Sequence, residues 1–231
     1  MLRAMHLPPA LTHLRHAALI RFLLGILLPL IVIGVIAEDV LEKQRFAFEQ
    51  PVMLWVHAHA TSVLTALSLF LHAFGGPLPM GVVFIAIVLG LWFTRRHSLA
   101  VFALLGLGSS VGFAFAMKLL FNRPRPELWT RLVVESGASF PSGHSTVAAA
   151  LATFAVLLAW HSRWRWPVLL VGVGYAVLMA YSRMLVGVHY PTDVLAGALT
   201  GLACVLGAYS VLGGSPRLLR LDEQVEVNTH A

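Results

Sequence analysis

Six stretches of this chain are long and apolar enough to cross a bilayer: 17–37, 78–94, 98–121, 144–160, 166–186 and 192–212. A spanning helix needs about 17–25 residues to traverse a hydrocarbon core about 30 Å thick. Lipid offers no partner for backbone N–H and C=O groups, so runs of this length are expected to be α-helices. The composition agrees. Of the 231 residues, 58% are hydrophobic and only 11% are charged, against about 25% charged in soluble domains; mean hydropathy is +0.83. The expected fold class is all-α: a polytopic membrane protein with a spanning domain over 17–213 and cytoplasmic tails over 1–16 and 214–231.

A seventh apolar stretch, Val52 to Phe74, has a different pattern. His57, Thr61, Thr65, Ser68 and His72 recur at steps of four and three, opposite a stripe formed by Val52, Val56, Val63, Leu67, Leu71 and Phe74. That periodicity predicts one amphipathic helix lying in the membrane interface. Charge placement supports six spans. One side then collects Arg3, Arg15, Arg21, Arg95, Arg96, Arg163, Arg165, Arg217 and Arg220. By the positive-inside rule that side is cytoplasmic, with both termini. The first apolar run is too long for a signal peptide and reads as an uncleaved span.

A formal charge of +6 would suggest nucleic acid in a soluble protein. Here no basic stripe carries interleaved aromatics, and nucleic acid is excluded as a partner. The lone Cys204 rules out an intrachain disulfide. Gly108/Gly112 and Gly197/Gly201, small residues four apart within spans, predict close helix packing. There is no P-loop and no HExxH. Nothing in the pattern specifies an oligomeric state.

The polar residues gather in three clusters at span ends, all on the outer side of this topology. The first runs from Lys118 to Pro126 and holds Lys118 and Arg125. The guanidinium of Arg125 is a planar fork suited to phosphate. The second is Pro141-Ser142-Gly143-His144. Ser142 reads as a helix cap, Gly143 allows close approach, and a helix N-terminus favours anions. His144 can move a proton near neutral pH. The third spans Ser182 to Asp193. Arg183 supplies charge, and Asp193, four residues after His189, can fix its tautomer and leave the other ring nitrogen free to attack.

Each cluster alone has an ordinary explanation as snorkelling residues, a helix cap or a structural His–Asp bond. Jointly they supply three cations, a helix N-terminus, two histidines and an orienting carboxylate. Phosphoryl transfer needs such a set, because negative charge spreads over three oxygens in its transition state. A divalent metal would be repelled by the three cations. Arg123 stands between these positions as a candidate headgroup contact, and Glu127, Arg131 and Glu135 read as solvated loop residues.

Lys118-x6-Arg125-Pro126, Pro141-Ser142-Gly143-His144 and Ser182-Arg183-x5-His189-x3-Asp193, in that order, resemble the signature of the type 2 phosphatidic acid phosphatase superfamily. The resemblance implies that His189 is the nucleophile, forming a phosphohistidine, with Asp193 orienting it. His144 would protonate the leaving group and then activate water. Lys118, Arg125, Arg183, Ser142 and Gly143 would hold the phosphoryl oxygens, with no metal or cofactor. It implies a lipid phosphate substrate in the inner (plasma) membrane, met at the extracytoplasmic face. Undecaprenyl diphosphate is the first expectation; phosphatidylglycerophosphate, phosphatidate and lipid A phosphate are others. A lipid phosphotransferase would share every motif. A carrier would need polar residues along a pathway, and the spans are almost free of charge except at their ends.

Overall fold

The structure, a computed structural model, describes residues 18–44 and 46–213. The tails expected at 1–16 and 214–231 lie outside the described residues. Regular structure within the described residues is helical: α1 (Ala18–Leu41), α2 (Glu49–Ala58), α3 (Ser62–Phe74), α4 (Pro77–Phe93), α5 (His97–Phe121), α6 (Gly143–Ala159), α7 (Arg165–Leu185) and α8 (Pro191–Val211). The expected apolar stretches become α1 and α4 to α8. α1 continues past Ala37 through Glu38 and Asp39. It contains one wide turn at Leu23–Leu27. Pro29 has no N–H to give the carbonyl of Gly25, and the widened turn absorbs that loss.

α1, α5, α7 and α8 are each long and apolar enough to cross a membrane. α4 and α6 are shorter apolar helices of 17 residues. Large apolar side chains such as Val82, Phe115, Leu170 and Val171 point outward and are exposed, as a lipid-facing surface requires. The chain is a membrane protein.

The expectation of one helix over Val52 to Phe74 is corrected. α2 and α3 meet at 117°. Thr61 takes an extended backbone conformation, and its side chain accepts a hydrogen bond from the Leu64 N–H at 3.2 Å. A capping threonine starts a new helix there. In the sequence that same Thr61 fell on the polar stripe and so read as helix interior.

The centre of the bundle is the α6–α8 seam. A Cβ added at Gly197 or Gly201 would overlap the backbone carbonyls of Ser142 and Thr146. These glycines therefore set the helix separation, as expected from small-residue spacing. The Gly108/Gly112 expectation does not hold as a pair: a Cβ at Gly112 meets open space, while Gly106 sits against Val205. Phe102, Leu107, Phe154, Val205 and Tyr209 fill the core between α5, α6 and α8. Ile36, Val40, Phe140 and Ala196 close α1 onto the same unit.

This packing brings the C-terminal ends of α5 and α7 and the N-terminal ends of α6 and α8 together. The irregular segment 122–142 lies across that end.

Candidate functional site

At this end of the bundle the interior is polar. Arg123, Arg125, Ser139, Ser142, His144, Arg183, His189, Asp193 and Glu49 are all buried. Buried charges persist only where paired and hydrogen-bonded, and here each charged group has a partner.

Asn122 adopts a left-handed conformation that ends α5. Just before it, Lys118 Nζ donates to the Ala138 carbonyl at 2.6 Å. Arg125 is held by the carbonyls of Gly137, Ser136 and Val188 at 3.0–3.1 Å. These bonds fix the guanidinium so that Nη1 lies 3.4 Å from His189 Nε2. Arg183, fully buried at the end of α7, donates to Ser182 Oγ and the Ser68 carbonyl at 3.1 and 3.2 Å. Its Nη1 is 2.9 Å from His72 Nδ1.

Ser142 caps α6 as the sequence suggests, accepting from the Ser145 N–H at 3.4 Å. Its hydroxyl is occupied in that cap, and Gly143 and His144 line the adjoining cavity. Gly143 has open space where a Cβ would stand. His144 rests beside His72, with ring centroids 5.6 Å apart.

His189 turns Nδ1 toward Asp193 Oδ2 at 3.6 Å and Ser139 Oγ at 3.5 Å. Its Nε2 therefore faces Arg125 and the cavity. Asp193 Oδ2 accepts from the Tyr190 N–H at 2.8 Å and from the Ser139 hydroxyl. All the residues that the sequence nominated thus meet: Lys118, Arg125, Gly143, His144 and His189 line the cavity, and Ser142, Arg183 and Asp193 stand behind its wall.

Three residues escaped the sequence reading. Glu135 is no solvated loop residue: its side chain is 14% exposed and sits at the centre of the cluster. One oxygen is 2.9 Å from Arg125 and 3.6 Å from His189 Nε2. The other is 3.5 Å from Arg183, 3.7 Å from His144 and 3.4 Å from His72. Burial alone would raise its pKa, but His189, His144 and Arg125 hold the carboxyl well below the usual range. The carboxylate is itself the anion seated among two guanidinium groups and three imidazoles.

Arg123 is likewise reassigned. It does not line the cavity. Nη1 donates to Asp193 Oδ1 at 2.6 Å and Thr192 Oγ1 at 2.8 Å, and Nη2 donates to both oxygens of Glu49 at 2.8 and 3.1 Å. Burial disfavours the Arg123 cation, but Asp193 and Glu49 outweigh that and raise its pKa. Glu49 opens α2 and is the second missed residue. His72 is the third; its place on the polar stripe of α3 was the available signal.

His72, Glu135 and His144 each present a ligand atom within 4.8 Å of the others, as a metal site would. Arg183 Nη1 approaches two of those atoms, at 2.9 Å from His72 Nδ1 and 3.5 Å from Glu135. A fixed guanidinium in that place repels a divalent ion.

A cavity of about 840 Å³ opens from this seat. Lys118, Arg125, Glu135, His144 and His189 form its polar end. Met80, Phe84, Leu107, Val111, Val147 and Leu151, from α4, α5 and α6, form an apolar remainder.

Comparison with known proteins agrees. Phosphatidylglycerophosphatase B of Bacillus subtilis (strain 168) is 33% identical over 171 residues, 72% of this chain and 78% of that protein. Undecaprenyl-diphosphatase BcrC of the same organism is 30% identical over 159 residues, 65% of this chain and 75% of its own. The chain spans 63% of the length of YbjG of Escherichia coli (strain K12), at 36% identity over 130 residues, 54% of this chain. The crystal structure of a transmembrane PAP2 type phosphatidylglycerolphosphate phosphatase from Bacillus subtilis matches with a TM-score of 0.63 and 25% identity, covering 87% of this chain and 94% of that one. The family model for the PAP2 superfamily matches residues 99–216, a region that contains all three polar clusters. The chain belongs to the PAP2 superfamily.

Proposed function

We propose that this protein is a metal-independent membrane lipid phosphatase that hydrolyses a phosphate or diphosphate monoester through a phosphohistidine. The observation that carries this reading is one cavity of about 840 Å³ with a polar, charged end and an apolar remainder. A ligand that fills both is anionic at one end and hydrocarbon at the other. Undecaprenyl diphosphate is the favoured substrate, supported by relatives named for that lipid; phosphatidylglycerophosphate is the next.

In this mechanism Lys118, Arg125 and Arg183 hold the phosphoryl oxygens, with backbone N–H groups after Ser142 and Gly143. Charge that develops on those oxygens is met by groups already in position. His189 Nε2 attacks phosphorus, forming an N–P bond as the P–O bond to the leaving group breaks. Asp193 keeps Nδ1 facing itself, so Nε2 is the attacking atom. His144 gives its proton to the departing oxygen. It then takes a proton from water, which attacks phosphorus and breaks the N–P bond to release inorganic phosphate.

The reading places six spans in the inner (plasma) membrane, α1 and α4 to α8. The 17-residue α4 and α6 span about 26 Å each at 1.5 Å per residue, near the lower limit for a bilayer. α2 and α3 lie at the outer interface, and both termini are cytoplasmic. Reporter fusions test this: a cytoplasmic signal at Arg131 would overturn it.

Purified protein should release inorganic phosphate from undecaprenyl diphosphate with EDTA present. Retention of near-normal turnover by His189→Ala would refute the mechanism.

A further inference from the structure

We propose that Glu49 and Arg123 act as positioning residues, forming a buried carboxylate–guanidinium–carboxylate chain that holds Asp193 and, through it, His189. This rests on His189 being the nucleophile. The chain begins on α2, outside the three motifs, and ends at the first turn of α8.

The geometry leaves Asp193 little freedom. Its Oδ1 is bound by Arg123 at 2.6 Å, and its Oδ2 accepts from the Tyr190 N–H at 2.8 Å and from Ser139. Only the Oδ2 side remains to face His189 Nδ1, at 3.6 Å. Arg123 is fixed in turn. Glu49 takes Nη2 through both oxygens, Thr192 Oγ1 accepts from Nη1 at 2.8 Å, and the Tyr190 ring centroid lies 4.2 Å from the guanidinium carbon. Thr192 also donates to Glu49, which joins the chain to the residue beside Asp193. Glu49, Thr192 and Asp193 are each at most 3% exposed, and Arg123 is 8% exposed.

Charge gives this arrangement a function beyond packing. Asp193 places a negative charge beside His189 Nδ1. Arg123 offsets that field, and Glu49 partly offsets Arg123. His189 also faces Arg125 and Glu135 from the 122–142 segment, with Lys118 of α5 and His144 of α6 lining the same cavity. Those groups are unchanged in the variants below, so differences between variants report the chain itself.

The test is the pH profile of kcat/KM for phosphate release by the purified full chain from undecaprenyl diphosphate in detergent, for wild type, Glu49→Gln, Arg123→Gln and the double variant. Glu49→Gln makes the surroundings of His189 more positive, so the acid limb should move to lower pH. Arg123→Gln should move it to higher pH. The expected size is about half a pH unit for Arg123→Gln, whose charge acts through one residue, and less for Glu49→Gln, whose charge acts through two. The double variant should return toward wild type. kcat should fall about 10- to 100-fold in the Arg123 variant, as for a misplaced reacting group, with KM much less affected. Arg123→Lys should keep the limb near its wild-type position. Limbs that stay put, or that move in the same direction in both single variants, would overturn the proposal. If Arg123→Gln does not fold, Glu49→Gln decides alone by the direction of its shift. His189→Ala run alongside separates the two ideas: turnover surviving there sinks the nucleophile reading itself.

Discussion

Glu135 occupies the place where a phosphoryl group would bind, and its removal should tighten anion binding. The carboxylate is 2.9 Å from Arg125, 3.5 Å from Arg183, 3.6 Å from His189 and 3.7 Å from His144. On the proposed function an incoming phosphate uses the same donors, so Glu135 must leave first and acts as an intramolecular competitor. A hydrogen bond to a charged group contributes about 1.5–3 kcal/mol net. Holding a glutamate side chain in one place costs up to about 2 kcal/mol. Some 1–2 kcal/mol then keeps Glu135 seated, a factor of about 5–30. Glu135→Gln keeps the shape and removes the charge. The inhibition constant for orthovanadate, measured against phosphate release, should fall about 5- to 30-fold in this variant. The held-down carboxyl sets the pH behaviour. A group depressed on folding keeps its native interactions above its unfolded value, about 4.3 for Glu, and loses them only as pH falls through the folded one. The ratio of wild-type to variant inhibition constants should therefore stay flat from about pH 5 to 8. An unchanged or weaker vanadate affinity in Glu135→Gln would refute the competition. A ratio that collapses well above pH 5 would refute the ionised carboxylate.

Other outcomes follow from the same geometry. His189→Ala should lower kcat about 10⁴-fold or more, as loss of a covalent nucleophile does, measured by phosphate release. Arg183→Lys cannot keep the bonds to His72, Ser182 and Ser68 together. It should raise the vanadate inhibition constant about tenfold; an unchanged value would show that the guanidinium fork is dispensable. Gly201→Val drives a side chain into the Thr146 carbonyl. It should destabilise the α6–α8 seam by about 1–3 kcal/mol, seen as a lower thermal midpoint in detergent. Thr61→Ala removes the α3 cap at an expected cost of about 1 kcal/mol, read in the same assay.

The parts of this fold legible in the sequence were those written in local pattern. Apolar runs gave α1 and α4 to α8 to within a few residues, because hydrocarbon length is a strict constraint. The three motifs were legible as a site because their residues fall at the ends of successive antiparallel helices, which a bundle brings together. The small residues of α8 were legible for the same reason. What stayed hidden depends on contacts without a period. Glu135 lies in a segment with no helical repeat, and only its return into the cluster distinguishes it from Glu127, which is exposed. Arg123 and Glu49 pair across 74 positions of sequence, so neither shows its partner locally. The kink before α3 was hidden by Thr61 serving two patterns at once.

These hidden residues explain how the end of a membrane bundle tolerates so much charge. Four cations, Lys118, Arg123, Arg125 and Arg183, lie among three carboxylates, Glu49, Glu135 and Asp193. Glu49 and Asp193 are committed to Arg123, which leaves Glu135 as the carboxylate facing Lys118, Arg125 and Arg183 at the polar end of the cavity. An uncompensated buried charge is far more costly than a paired one, so a seat that takes a phosphate dianion, as proposed, needs an interim anion when empty. A carboxylate carries one negative charge where a phosphate dianion carries two. It can keep the three cations in place while binding them less strongly than the substrate does. The same difference favours release: inorganic phosphate leaving the seat is replaced by Glu135 rather than by an unpaired cluster. Glu135→Gln should thus bind vanadate more tightly yet release phosphate more slowly, and product inhibition by inorganic phosphate should rise in parallel. A variant with tighter vanadate binding and unchanged product inhibition would separate the two roles and refute their common origin in one shared seat.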